Sequence, residues 1–158
     1  MASLIDTNVL VYLHDPRFPE KQEVAERVLR EGLTAGDLAI PHQAIVEFVA
    51  ATTRRKGKDD PTPLLSRSDA FREAEDLVAQ FPVLYPDQAV LRTAMLGAAA
   101  YQLSWFDAHL WAYAEVNGLG EILTEDFEHG RRYGSVRANN PFMAAADEVH
   151  ELPALYEA

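Results

Sequence analysis

The sequence predicts an α/β domain built on a small parallel sheet with helices on both faces. Two observations carry this expectation. Short apolar runs too brief for helices alternate with longer stretches whose apolar residues recur at helical spacing. Strands that alternate with helices are joined by crossovers, and crossovers produce parallel sheets covered on both sides. A chain of 158 residues with no repeat and no low-complexity linker suits one such domain, large enough to bury about two-thirds of its unfolded surface.

The elements follow in order. Residues 3–6 read as a short buried strand and Asn8 to His14 as a helical turn, closed by Asp15-Pro16 and Phe18-Pro19. A helix over about 20–31 places Val24, Val28 and Leu29 on one face. Gly32 and Gly36 precede a second strand, Leu38-Ala39-Ile40, after which Pro41 opens a helix reaching about Arg55. Lys56 to Ser68, with Gly57, Pro61 and Pro63, reads as an exposed connection. Ser68 or Asp69 is the expected cap of a helix from Ala70 to Gln80, with Phe71, Ala74, Leu77 and Val78 as its apolar face. Val83 to Tyr85 is a third strand, and Asp87 caps a helix over about 88–102. Ser104 starts a helix that Asn117-Gly118 ends. Glu121 to Thr124 is a strand followed by a polar loop, and Val136 to Ala138 a last strand before Asn140-Pro141-Phe142.

Composition narrows the function. With no cysteine, disulfides and thiolate chemistry are excluded. The N-terminus lacks a basic segment followed by an apolar one, so no signal peptide is expected, and no apolar run is long enough to span a bilayer. A cytoplasmic protein is the expectation. The net charge of −11 opposes nucleic-acid binding at first sight. It is unevenly placed, however, because residues 141–158 hold four acids and no Lys or Arg. Local cations at Arg54, Arg55, Lys56 and Lys58, and at Arg131 and Arg132, could hold a polyanion, although each also reads as a solvated surface charge.

Four carboxylates stand where solvated ones rarely do. Asp6 follows Leu4-Ile5, Glu47 interrupts an apolar helix, Asp107 lies among aromatic residues, and Asp126 closes Ile122-Leu123-Thr124-Glu125. Because ligands bind at the carboxyl ends of parallel strands, all four can approach one crevice. Grouping buried carboxylates is unfavourable unless a cation neutralises them, and hard oxygen donors favour Mg²⁺ or Mn²⁺. The helical neighbours of Glu47, namely Gln43, Ala44, Ala50 and Ala51, read as mostly small and leave it reachable, while Thr124 is spaced to orient Asp126 or a metal-bound water. Each acid also has a structural reading: Asp6 and Asp107 can cap helices, Glu47 can reach water from a helix edge, and Asp126 can start a loop. His109 reads as a packed helix residue and His129 as part of a polar loop. Trp105, Phe106 and Trp111 read as core or subunit contact.

Asp6-Thr7-Asn8-Val9-Leu10, Glu47 in a middle helix, Asp107 in Trp-Phe-Asp-Ala-His-Leu-Trp-Ala, and Thr124-Glu125-Asp126-Phe127 before Asn140-Pro141-Phe142 make the chain resemble PIN-domain ribonucleases, in particular the VapC-type toxins of toxin–antitoxin pairs. The resemblance spans about residues 3–142. It implies a PIN-like three-layer fold, an acidic Mg²⁺ or Mn²⁺ site, endonucleolytic RNA cleavage, homodimerisation and inhibition by a cognate antitoxin. On this chain Asp6, Glu47, Asp107 and Asp126 would be the catalytic and metal-binding set, with Asn8 and Thr124 in support. Residues 1–142 would form the nuclease domain, and 143–158 an acidic extension that is not a separate domain. Two alternatives stand beside this reading. One is a non-catalytic PIN-like module binding RNA or protein; the other is a metal-dependent phosphatase with Asp6 as nucleophile, which Asn8 two residues later disfavours.

Overall fold

The computed structural model describes residues 2–143, so the acidic extension lies, beyond Met143, outside the described residues. In chain order the elements are β1 (Ser3–Ile5), α1 (Thr7–Tyr12), α2 (Pro19–Ala35), β2 (Leu38–Pro41), α3 (His42–Thr53), α4 (Arg67–Gln80), β3 (Val83–Leu84), α5 (Gln88–Tyr101), α6 (Trp105–Val116), β4 (Glu121–Leu123), β5 (Arg132–Tyr133) and β6 (Val136–Asn139). The sheet order is β3-β2-β1-β4-β6-β5. All neighbouring strands are parallel except the β5–β6 hairpin. The expected α/β sheet covered by helices is therefore present.

Every residue of β1 and β2 is buried, as continuous apolar strands in a sheet with two covered faces should be. Leu4, Ile5, Ile40 and Ile122 are fully inaccessible. Helix α6 lies against β1, β4 and β6 and pairs with α5, whereas α1 to α4 pack on one another and on β2. After β1 the chain crosses to β2 on one side, and β4 occupies the other side of β1. The end of β1 is thus a topological switch point, where open α/β sheets leave a crevice.

Several sequence expectations are corrected. Helix α4 begins at Arg67 and is capped by Ser66, whose Oγ accepts from the Asp69 amide at 3.1 Å. Neither Ser68 nor Asp69 is its cap, because Ser66-x-x-Asp69 sets the cap two to three residues earlier, with Asp69 in the first turn. Ala70 and Leu77 form its buried face, and Phe71 and Val78 are exposed. Gly32 lies inside α2, which runs on to the left-handed Gly36. The reason is packing: a Cβ on Gly32 would collide with the Leu38 side chain. Strand β5 falls within the segment expected to be a polar loop, and its Tyr133 is buried against Phe127 and Tyr101.

Helices α5 and α6 meet at Gly97, where an added Cβ would strike the Trp111 ring. That ring cannot easily yield, because its Nε1 donates to the Tyr133 carbonyl at 2.8 Å and its edge meets Tyr101. Gly97→Ala should therefore destabilise the protein by about 1–3 kcal/mol through overpacking. The readout is a melting temperature several degrees below wild type. An unchanged value would show that the α5–α6 contact can open.

Candidate active site

The end of β1 delivers Asp6 to the switch point, where it serves two purposes. As N-cap of α1 it accepts from the Thr7 amide at 2.6 Å through Oδ1, and its Oδ2 accepts from the Thr124 hydroxyl at 2.6 Å. The side chain of Thr124 is fully buried just past β4, and its Oγ also accepts from the Asp126 amide at 3.0 Å. The hydroxyl thus orients Asp6 and the Asp126 backbone, not the Asp126 carboxylate as its spacing implies, because β4 ends at Leu123. Asn8 supplies the Asp126 contact: its Nδ2 donates to Asp126 Oδ2 at 3.1 Å and lies 3.5 Å from Asp6 Oδ2.

Glu47 projects from α3 toward the same place. Its Oε2 accepts from the Thr7 hydroxyl at 2.8 Å, and its Oε1 accepts from Gln43 Nε2 at 2.7 Å. Gln43 also donates to the Phe106 carbonyl at 3.1 Å, tying α3 to the first turn of α6, where Asp107 lies. Glu47 is accordingly held on both oxygens, and it still reaches the cleft beside its small helical neighbours Ala50 and Ala51. Asp107 is in the capping arrangement, since its amide donates to Ser104 Oγ at 3.3 Å, and it still faces the cleft. Sequence reasoning missed Thr7 and Gln43 as functional side chains. Gln43 stands four residues before Glu47 on one helix, a spacing that could have identified it.

Asp6, Glu47, Asp107 and Asp126 line one cleft of about 620 Å³ together with Asn8, Arg17 and Arg54. Asp6 is 1% exposed. Its carboxyl is pushed up to about 7, chiefly by burial and further by the Asp126 and Asp107 charges, against the opposing Thr124 and Thr7 hydrogen bonds. Asp107 is raised by burial and by Glu47, with Ser104 opposing. Asp126 is raised by burial and by Asp107, Glu125 and Glu47, with Asn8 opposing. Three carboxyls thus resist ionisation in one cleft because they are buried among like charges, a strain that a nearby positive charge would relieve.

Among the described residues no group of three or more His, Asp or Glu side chains is gathered closely enough to hold a metal ion as placed. The donors nevertheless fit a hard divalent ion that keeps several of its waters, as Mg²⁺ does when one or two carboxylates anchor it. The Asn8 Oδ1 atom is buried without a hydrogen-bond partner among the described residues, so a polar acceptor remains beside the acids.

Other expected site residues separate. Arg54 lines the acid cleft, Arg55 and Lys56 line a smaller recess beside it, and Lys58 borders neither. Arg131 pairs with Glu128 at 3.5 Å and covers the Tyr133 ring, and Arg132 sits on the edge strand β5; neither reaches the cleft. His129 accepts from the Asn140 amide at 3.0 Å and shapes that loop. His109 packs edge-on against Trp105 and Tyr113 outside the acid cleft. Trp111 is core, but Trp105 and Phe106 are exposed.

A PIN-domain family model matches residues 3–134. No curated protein matches the chain. Among solved structures, a toxin–antitoxin complex from Klebsiella pneumoniae superposes with a TM-score of 0.63 at 18% identity, over 89% of this chain and 98% of that one. A VapBC complex from Rickettsia felis bound to a DNA fragment from its promoter gives 0.64 at 12% identity, over 89% and 98%. A VapC toxin from Mycobacterium tuberculosis described as cleaving the sarcin–ricin loop gives 0.60 at 16% identity, over 79% and 90%. At these identities the likeness is one of fold, and it agrees with the family match over most of the chain. The chain belongs to the PIN-domain family.

Proposed function

We propose that this chain is an Mg²⁺- or Mn²⁺-dependent endoribonuclease, the toxin of a type II toxin–antitoxin pair. The observation that carries this reading is the gathering of Asp6, Glu47, Asp107 and Asp126 around one cleft, with Asp6 pushed up to about 7. These four acids would hold the ion, one or two by direct contact and the others through waters it keeps, and when bound it would polarise a phosphoryl oxygen and acidify a water. Thr124, Thr7, Gln43 and Asn8 fix the carboxylates before substrate arrives, so little reorganisation accompanies the reaction. Water adds to phosphorus, the ester P–O bond breaks and the departing alcohol gains a proton. A cleft carboxylate that the ion leaves free would take the proton that the water gives up and return it to the departing alcohol.

An antitoxin partner is supported by fold neighbours that are toxin–antitoxin complexes. Among the described residues no helix is long and apolar enough to cross a membrane; the cytoplasm, where RNA is available, is the proposed location. Exposed Leu91, Met95, Leu96, Trp105 and Phe106 on α5 and the start of α6 support a homodimer.

Asp6→Asn and Asp107→Asn should keep the fold and reduce metal-dependent RNA cleavage by roughly two orders of magnitude or more. Total RNA incubated with and without Mn²⁺, followed by sequencing of the ends, measures this. Full activity in both variants refutes the site.

Asp6 also gives a pH dependence to the metal-free protein. Its folded carboxyl is at about 7, whereas an unfolded aspartate titrates near 3.9, so between these values the folded state holds the extra proton. The contribution is fully present below about 4 and is lost as pH rises through about 7, on the order of a few kcal/mol. Melting in chelator should accordingly occur at lower temperature at pH 8 than at pH 5, and Asp6→Asn should flatten the difference. A profile unaltered by Asp6→Asn would remove Asp6 as its source.

Light scattering at micromolar concentration should give twice the chain mass of 17.6 kDa. A strictly monomeric mass refutes the dimer.

A further inference from the structure

Beside the acid cleft lies a recess of about 110 Å³ that the catalytic scheme does not use. Arg17, Arg54, Arg55 and Lys56 line it together with Val11, Ala51 and Leu64, and no acid lines it. In a chain of net charge −11 this concentration of cations is unexpected. Arg17 is fixed in place: Asp15, 2% exposed, accepts from its Nε at 2.9 Å and its Nη2 at 2.8 Å and from its backbone amide at 3.1 Å. The Arg17 Nη1 donors make no hydrogen bond among the described residues. Arg54 and Arg55 have no ion-pair partner there either. Lys56 is used differently, since its Nζ binds Asp60, Thr62 and Pro63 and shapes the loop that walls the recess. Arg17 and Arg54 line both the recess and the acid cleft, so the two spaces share a wall.

We propose that this recess is a phosphate subsite, which binds a backbone phosphate of the RNA strand next to the scissile one and so sets the register of the cut. The proposal rests on the endoribonuclease reading. Guanidinium forks match phosphate oxygens bidentately, and a fork already oriented by a buried aspartate gives up little freedom on binding. Arg17 and Arg54 are the specificity-determining pair, and Arg55 adds charge at the rim.

The test is binding of short single-stranded RNA in chelator, with each linkage in turn replaced by a neutral methylphosphonate. Wild type should lose affinity most at one internal linkage, on the order of tenfold. Arg54→Gln, an exposed substitution, and Arg17→Gln, checked for an unchanged melting temperature, should bind the intact strand as weakly and become indifferent to that linkage. Their log–log salt slopes should each be shallower by roughly 0.7. Equal loss on every strand, or an unchanged slope, overturns the subsite. If the variants weaken binding of a poly-glutamate peptide but not of RNA, the recess is a carboxylate site and the proposal falls. Wild type that shows the linkage pattern yet cuts no RNA with Mn²⁺ would refute the nuclease reading and leave a phosphate-binding recess with no cut whose register it sets. Cutting without any linkage dependence would do the reverse, and no RNA binding refutes both.

Discussion

The structure is organised around one unfavourable fact: a carboxylate is buried at the carboxyl end of the central strand, with two like charges close enough to raise its pKa further. Burying such a group requires directed hydrogen bonds. Thr124 and the Thr7 amide provide them, one from the end of the neighbouring strand and one from the first turn of the following helix. The parallel pairing of β1 with β4 brings those two donors together, since Ile5 and Leu123 are register partners and each is followed by a site residue. The sheet register and the site are therefore one constraint.

The rest of the acid set is hung on that pair by side chains that each do two things. Thr7 belongs to the first turn of α1 and also donates to Glu47; Gln43 holds Glu47 and reaches the carbonyl of Phe106, beside Asp107. Helices α1, α3 and α6 are in this way cross-linked by polar contacts at the cleft while their apolar faces pack elsewhere. A shift of any one helix would misplace an acid contributed by another. Preorganisation here belongs to the fold as a whole, not to a flexible loop.

Much of this was legible in the sequence. Asp6 and Asp126 stand out because an acid follows an apolar strand, and Glu47 because it interrupts an apolar helix; strand ends then gave them a shared location. What stayed hidden depends on contacts between distant segments. Thr7 looks like an ordinary polar residue until α1 and α3 face each other, and Gln43 shows its spacing to Glu47 but not its reach to the start of α6. Phe71 and Val78 fit a helical apolar stripe, yet the face that packs is the narrower one of Ala70 and Leu77. Strand β5 is two residues long and polar in part, and only its antiparallel pairing with β6, Tyr133 opposite Val136, makes it a strand. The basic segment after α3 reads as uniform surface charge, but folding divides it into Arg54 on the cleft, Arg55 and Lys56 on the recess, and Lys58 on neither.

The sheet margins have a consequence for solubility. Both outer strands, β3 and β5, are two residues long. An outer strand with so few free amide and carbonyl groups offers a poor template for a further strand from another molecule. The parallel interior, which would propagate readily if exposed, is closed off at each side by a stub, one of them reversed in direction. Self-association by edge-to-edge strand pairing is thereby discouraged, which among the described residues leaves the exposed helix faces as the better surfaces for ordered assembly.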